Sequence, residues 1–248
     1  MTRKILIVDD HDDLATELQT VFNRHGHEVK TLESREEALH LHHLQGFDVI
    51  ITDLDNYDEQ QSTEDIHVFK IGAANLRSDF DENELHLIVE TTLDYKAKFL
   101  DDRPHENEWR EKIEFELPSA IAPMHSILNY LQERLAKMGV IERETSNVFI
   151  ALDEAFVNAV KHGNRFNHEK IVKISAEISP SEARFTVEDE GEGFDVSAIP
   201  DPLDPENLFK TSGRGVLLIQ NIMDEVSYNE RGNQVTMIKR STVSKVKS

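Results

Sequence analysis

Two short apolar segments, each followed at once by aspartate, constrain the fold of this chain more than any other feature. The first, KILIV (4–8), leads into Asp9 and Asp10, and the second, DVIIT (48–52), leads into Asp53. Strands without polar residues are buried on both faces, as the strands of parallel sheets are. The two segments therefore predict strands of a parallel sheet with acidic residues at the strand ends.

The residues between these segments alternate between helical and extended patterns. Apolar residues recur at helical spacing over 14–22, and residues 27–31 form a second short strand pattern. Ser34 and Glu37 make a capping box, which predicts a helix through about Leu44. Such alternation indicates a doubly wound α/β sheet with right-handed crossovers.

Three carboxylates are expected to meet at one edge of this sheet. Ligands of doubly wound sheets bind at the carboxyl ends of the strands, where Asp9, Asp10 and Asp53 stand. Carboxylates in such proximity repel one another unless a hard divalent cation such as Mg²⁺ lies between them. The pattern therefore predicts a magnesium site there.

The segments KILIVDDHDD and DVIITDLD resemble the receiver domain of response regulators. The resemblance implies that Asp53 accepts a phosphoryl group and that Asp9 and Asp10 hold Mg²⁺. An upstream histidine kinase is then the implied phosphodonor. The alternative is a pseudo-receiver that keeps an acidic pocket and serves for dimerisation or docking.

Beyond Asp53 the pattern departs from a complete receiver. Residues 69–93 resemble a receiver's final strand and helix, but they follow Asp53 too closely for a further βαβ unit, which takes about 30 residues. At least one strand–helix step is therefore expected to be missing. Arg77 and Ser78 stand where receivers carry a lysine–proline pair, so the phosphate-contacting lysine has no clear match.

Composition excludes several classes of function. The net charge of −21 opposes binding to a phosphate backbone, so no nucleic acid is expected as a partner. The absence of cysteine excludes disulfides and thiolate metal sites. No apolar run approaches the roughly 20 residues of a membrane span, and the N-terminus does not resemble a signal peptide. We therefore expect a cytoplasmic protein without a membrane partner.

The second half of the chain carries three motifs, ALDEAFVNAVKHGN (151–164), EDEGEGFD (188–195) and SGRGVLLIQNIMDEV (212–226). In the first motif, helical spacing places Glu154, Asn158 and Lys161 on one stripe, and the amide oxygen of asparagine is a suitable ligand for Mg²⁺. In the second, an aspartate that can accept a hydrogen bond from the adenine amine precedes two glycines. In the third, glycines open a helix whose free N–H groups can bind phosphate.

Regular structure is predicted around these motifs. Strand alternation over 113–117 precedes an amphipathic helix over 121–138 and a second helix over about 145–161. Hairpins are predicted over 171–189 and over 225–240, the latter turning at Arg231-Gly232-Asn233.

Residues 113–240 resemble the GHKL (Bergerat-fold) ATPases, and within them the anti-sigma factor serine kinases. The resemblance implies that Glu154 is the catalytic base, that Asn158 holds Mg²⁺ and that Asp189 binds adenine. It also implies roles for further residues in ATP binding and in the lid over the nucleotide: Lys161, Gly191, Gly193, Lys210, Gly213, Arg214 and Gly215. Related kinases often carry an arginine in the lid where this chain has Thr211, and Lys210 or Arg214 would have to replace it.

The whole chain is thus expected to contain a receiver-like domain (1–94), a linker or helical extension (95–112), an α+β sandwich of the GHKL type (113–240) and a tail (241–248). The implied function is an ATP-dependent serine/threonine kinase that phosphorylates an anti-sigma factor antagonist of the STAS type, as a homodimer that also holds a sigma factor. The alternative is a docking protein that binds ATP without catalysis. A histidine kinase is disfavoured, because His125 lacks the neighbours of a phosphorylated histidine.

Overall fold

The computed structural model describes the chain in eight segments, which cover residues 2–11, 13–40, 46–55, 66–73, 81–100, 110–143, 146–195 and 214–241. Strands β1 (Lys4–Asp9), β2 (Glu28–Leu32) and β3 (Val49–Leu54) are parallel, with β1 between the other two. Helix α1 (Asp13–Arg24) connects the first pair, and α2 (Arg35–His40) follows β2. The predicted doubly wound arrangement is confirmed for this part of the chain.

The fourth strand departs from a parallel sheet. β4 (Ile66–Ala73) lies beside β3 but runs antiparallel to it, with Asp53 opposite Phe69. The N-terminal sheet is therefore mixed, and the expectation of a purely parallel receiver-like sheet is wrong at this strand. Reversing β4 removes the need for a crossover helix, because antiparallel neighbours can be joined by a short connection.

A single sheet of nine strands runs through the described chain. β5 (Arg110–Pro118) pairs in parallel with β4 and antiparallel with β6 (Ile171–Ile178). The sheet continues with β7 (Glu182–Asp189), β9 (Gln234–Arg240) and the edge strand β8 (Glu225–Tyr228). Both predicted hairpins are present. The pairing of β4 with β5 joins the receiver-like half directly to the second half.

The helices divide unequally between the two faces of the sheet. One continuous core joins α1, α3 (Glu82–Tyr95), α4 (Met124–Lys137), α5 (Val148–Val157) and α6 (Arg214–Ile222) to one face. A small second core, around Leu6, Val8 and Leu54, packs near α2 on the opposite face. Along β5, buried residues alternate with half-buried ones, as expected for a sheet covered on one side.

Two helices end in π-helical turns, Lys96–Leu100 after α3 and Asn158–Gly163 after α5. The first covers only the start of the segment 95–112, of which residues 101–109 lie outside the described residues and residues 110–112 belong to β5. The predicted end of α2 near Leu44 lies outside the described residues, and so do Arg77 and Ser78. Ser34 accepts a hydrogen bond from the Glu37 N–H at 3.2 Å, as the capping pattern predicts.

Candidate functional site

A cavity of about 640 Å³ lies between α5, α6 and the strands β7 and β9. It contains residues from all three C-terminal motifs, which are separated by up to about 60 positions in the chain. The predicted site residues that line it are Glu154, Asn158, Asp189, Gly193 and Gly215. The structure therefore brings the three motifs to one place.

Glu154 and Asn158 reach the cavity from the end of α5. Lys161 was predicted on the same stripe, but it is exposed and does not line the cavity. The π-helical turn that begins at Asn158 explains the difference, because its wider i→i+5 pattern shifts the following residues around the axis. His162 and Gly163 occupy the cavity wall instead. His162 follows Asn158 by four residues, a spacing that places both on one helix face, so the sequence contained a signal for it.

Asp189 is held in place at the end of β7. Its Oδ1 accepts a hydrogen bond from the Gly191 N–H at 2.7 Å, and burial raises the pKa of the carboxyl despite that bond. A Cβ at Gly163 would lie within 2.4 Å of both carboxylate oxygens, so a larger residue there would have to displace the Asp189 carboxyl. A fixed carboxylate at the cavity wall can accept a hydrogen bond from the exocyclic amine of adenine.

Gly215 lies against the proposed base. A Cβ at this position would be 1.8 Å from Glu154 Oε1, so the second glycine of the GRG motif lets the start of α6 approach the carboxylate. Of the remaining predicted residues, Lys210 and Gly213 lie outside the described residues, and so does the side chain of Arg214. Their roles stay predictions.

Asn164 is a structural residue that the sequence interpretation missed. It is 1% exposed, its amide donates to Ile171 O at 2.9 Å, and its Oδ1 accepts from the Glu190 N–H at 2.9 Å. These bonds tie the end of the π-helical turn after α5 to β6 and to the loop after Asp189. An asparagine directly after the His-Gly pair was the available signal.

A second group of charged residues lies at the ends of β1, β3 and β4. Asp9 and Asp53 are opposite each other in neighbouring strands and are 2% and 6% exposed. Lys96, at the end of α3, donates to both oxygens of Asp53 at 3.0 Å. A helix end 43 residues later thus places an ammonium group against Asp53, and no motif in this sequence marks this lysine.

His67 on β4 completes this group. Its Nε2 lies 2.6 Å from Asp53 Oδ1, and its Nδ1 lies 2.7 Å from Asp55 Oδ1. Burial opposes protonation of the ring, but the two carboxylates outweigh burial and raise the pKa of His67 to about 9. Burial likewise disfavours the Asp53 carboxylate, but Lys96 and His67 lower the pKa of Asp53 to about 2.

The carboxylates suited to a cation are arranged differently from the prediction. Ligand atoms of Asp9, Asp10 and His11 lie within 4.8 Å of one another, whereas both oxygens of Asp53 face Lys96. Asp9 also accepts backbone N–H groups of His11 and Ala15 at 3.0 Å. Oxygen and imidazole ligands suit a divalent cation. The carboxylates of Asp9 and Asp10 are therefore suitable ligands for a magnesium ion. The carboxylate of Asp53 is held instead by Lys96 and His67.

Comparison with known proteins finds family matches in two separate parts of the chain. Residues 117–239 match the model of the histidine kinase-like ATPase domain, and residues 5–56 match that of the response regulator receiver domain. The serine-protein kinase RsbW of Staphylococcus epidermidis is 31% identical over 138 residues, which are 52% of this chain and 87% of the relative. RsbW of Staphylococcus aureus strain JH9 is 30% identical over 135 residues, covering 51% and 85%. Within the described residues, no helix is long and apolar enough to cross a membrane.

Proposed function

Because the chain belongs to the serine-protein kinase RsbW family of histidine kinase-like ATPases and is a regulator of the anti-sigma factor kinase type, we propose that it binds ATP with Mg²⁺ in the cavity beside α5. It then transfers the γ-phosphoryl group to a serine or threonine of a small antagonist protein of the STAS type. The observation that carries the proposal is that Glu154, Asn158 and Asp189 line one cavity.

Three residues of the chain have separate roles in this transfer. Asp189 accepts a hydrogen bond from the exocyclic amine of adenine, and the amide oxygen of Asn158 is the ligand for Mg²⁺. The metal, when bound, neutralises charge on the phosphates. Glu154 takes the proton of the attacking hydroxyl while the oxygen of that hydroxyl forms a bond to the γ-phosphorus. The bond from that phosphorus to the β-phosphate oxygen breaks, and ADP leaves with the electron pair.

A docking function without catalysis is the second candidate, and one observation favours it. Among the described residues that line the cavity there is neither lysine nor arginine, although phosphoryl transfer uses a cation at the γ-phosphate. Lys210 and Arg214 are the cations proposed for that position. As a docking protein, the chain would bind ATP to shape a surface for the antagonist or a sigma factor.

One assay separates the two functions. The purified chain is incubated with γ-labelled ATP, Mg²⁺ and its antagonist, and Glu154→Ala and Asn158→Ala are run in parallel. Label on an antagonist serine or threonine, lost in both variants, supports the kinase. ATP binding without transfer supports docking. A wild-type chain that does not bind ATP contradicts both functions.

We further propose that the receiver-like half controls this activity through phosphorylation of Asp53, with an upstream histidine kinase as the donor. The Lys96 ammonium is in place to balance charge on the modified side chain, and Asp9 and Asp10 are the proposed magnesium ligands. Acetyl phosphate with Mg²⁺ should add one phosphoryl group to the wild type and none to Asp53→Ala. An unchanged mass of the wild type would contradict the proposal and leave the pseudo-receiver alternative.

A further inference from the structure

The turn between β8 and β9 is hydrogen-bonded to the loop that begins at Asp189. This turn comprises Asn229–Asn233, and the facing loop comprises Asp189–Phe194. Arg231 Nη2 donates to Gly191 O at 2.8 Å, and Asn233 Nδ2 donates to Asp189 O at 2.6 Å. The Asp189 N–H in turn donates to Asn233 O at 3.0 Å. Two segments about 40 residues apart thus share three hydrogen bonds.

The two backbones also approach so closely that both need glycine. A Cβ at Gly193 would lie 1.9 Å from Arg231 O, and a Cβ at Gly232 would lie 2.2 Å from Phe194 O. Both glycines have positive φ angles, +78° and +74°. Gly193 is therefore needed for contact with the turn, in addition to its place on the cavity wall.

The turn is itself held rigid by one side chain. Asn229 Oδ1 accepts backbone N–H groups of Gly232 at 2.8 Å, Asn233 at 3.1 Å and Gln234 at 3.3 Å. Its Nδ2 donates to Asn233 Oδ1 at 2.9 Å, which orients the Asn233 amide toward Asp189 O. A turn with this many internal bonds can fix the position of whatever packs on it.

The contact continues onto the cavity wall. The rings of Phe194 and Tyr228 meet edge to face with centroids 5.3 Å apart, and both residues line the cavity. The positive charge of Arg231 also favours the ionised form of Asp189. Arg231 and Asn233 therefore act on the segment that carries Asp189 through both backbone position and charge.

We propose that Arg231 and Asn233 are positioning residues for the nucleotide, which hold the Asp189 loop so that the carboxylate meets the 6-amino group of the purine. The proposal rests on the proposed function, since it requires ATP in this cavity. Arg231 does not line the cavity and acts through the loop alone, whereas Asn233 also lines the cavity. Their effect is on base selection, because a displaced Asp189 loses the amine contact while the phosphate contacts remain.

The test compares the affinities of the full chain for ATP and for inosine triphosphate, which carries a carbonyl oxygen in place of the 6-amino group. Calorimetric titration of the wild type should show a preference for ATP. Arg231→Met should reduce that preference about tenfold, the effect of one charge-assisted hydrogen bond. Arg231→Lys, which can still donate to Gly191 O, should retain part of it.

A matched control lies on the same hairpin. Arg240 forms an exposed ion pair with Glu225 near the base of the β8–β9 hairpin, and Arg240→Met should leave the preference unchanged. General loosening of the fold would weaken binding of both nucleotides equally. If Arg231→Met does not fold, the two affinities are measured with Arg231→Lys and Asn233→Ser instead.

The outcomes separate this proposal from the proposed function. A wild-type chain that binds neither nucleotide contradicts ATP binding itself. A wild-type chain that prefers ATP, with the same preference in the Arg231 and Asn233 variants, overturns the positioning role and leaves ATP binding intact. Loss of the preference in Arg231→Met and its partial return in Arg231→Lys support the proposal.

Discussion

At the scale of single residues, this protein holds the Asp53 and Asp189 carboxylates with partners from outside, as well as inside, the motifs that carry them. Asp53 faces Lys96 and His67, and Asp189 is held by Gly191 and by the space that Gly163 leaves. In both places a short motif supplies the carboxylate and the tertiary fold supplies the environment. Charge and geometry at each site therefore depend on residues that the motif does not contain.

His67 makes the stability of the fold dependent on pH. Its pKa of about 9 in the folded protein lies above the value of about 6.5 in an unfolded chain. The folded state thus binds the proton more tightly, and this contribution is fully present below pH 6.5 and is lost as the pH rises through 9. We expect the free energy of unfolding to fall by about 2–3 kcal/mol over that range in the presence of a chelator.

Urea unfolding at a series of pH values measures this effect. In His67→Gln the decrease between pH 6.5 and 9 should be largely absent. His125→Gln is the control, since His125 is an exposed histidine on α4 and its loss should leave the decrease in place. A wild-type profile that is flat up to pH 9 would show that His67 is not held as a cation.

At the scale of helices and strands, the packing of α4 on the sheet depends on a buried ion pair. Arg134 Nε donates to Glu111 Oε2 at 2.8 Å, and the side chains are 2% and 0% exposed. The other oxygen, Oε1, has no hydrogen-bond partner among the residues that the structure describes. Such a pair is costly to break on one side, because the remaining charge stays buried.

Arg134→Met should therefore reduce the free energy of unfolding by about 3–5 kcal/mol. Arg143→Met is a matched control, because Arg143 pairs with Glu133 of α4 at an exposed site, where the loss should stay below about 1 kcal/mol. Chemical denaturation of both variants gives the comparison. Equal small losses in the two variants would contradict the role of the Arg134–Glu111 pair in holding α4 on the sheet.

For the helices and strands, the sequence predicted the features that depend on local patterns and missed those that depend on distant segments. The apolar runs predicted β1 and β3, and the helical stripe predicted that Glu154 and Asn158 share a surface, because both patterns are local. The direction of β4 and the approach of Lys96 to Asp53 depend on pairing between distant segments. Lys161 was misplaced because the spacing argument assumed an α-helix where the chain forms a π-helical turn.

At the scale of the whole molecule, the receiver-like half and the ATPase half share one nine-stranded sheet. β4 is hydrogen-bonded on one side to β3, which carries Asp53, and on the other to β5, which opens the ATPase half. One continuous core also spans α1, α3, α4 and α5. A change at Asp53 thus has a direct structural connection to the helices that carry Glu154 and Asn158.

A shared sheet and core should make the two halves unfold together. Calorimetry of the full chain is expected to show one cooperative transition, and ATP at about 100 times its dissociation constant should stabilise it by about 2.7 kcal/mol. Two separate transitions, of which only one responds to ATP, would show that the halves are energetically independent despite the shared sheet.

Glu154→Gln tests whether Glu154 acts as a base beside a bound nucleotide. The substitution keeps the size of the side chain and removes its ability to take a proton. We predict that the affinity for ATP stays within about threefold of the wild type. Phosphoryl transfer to the antagonist should fall by about 10²–10⁴-fold, the usual contribution of a general base. Transfer at the wild-type rate in Glu154→Gln, with ATP bound normally, would contradict the assignment of Glu154 as the base.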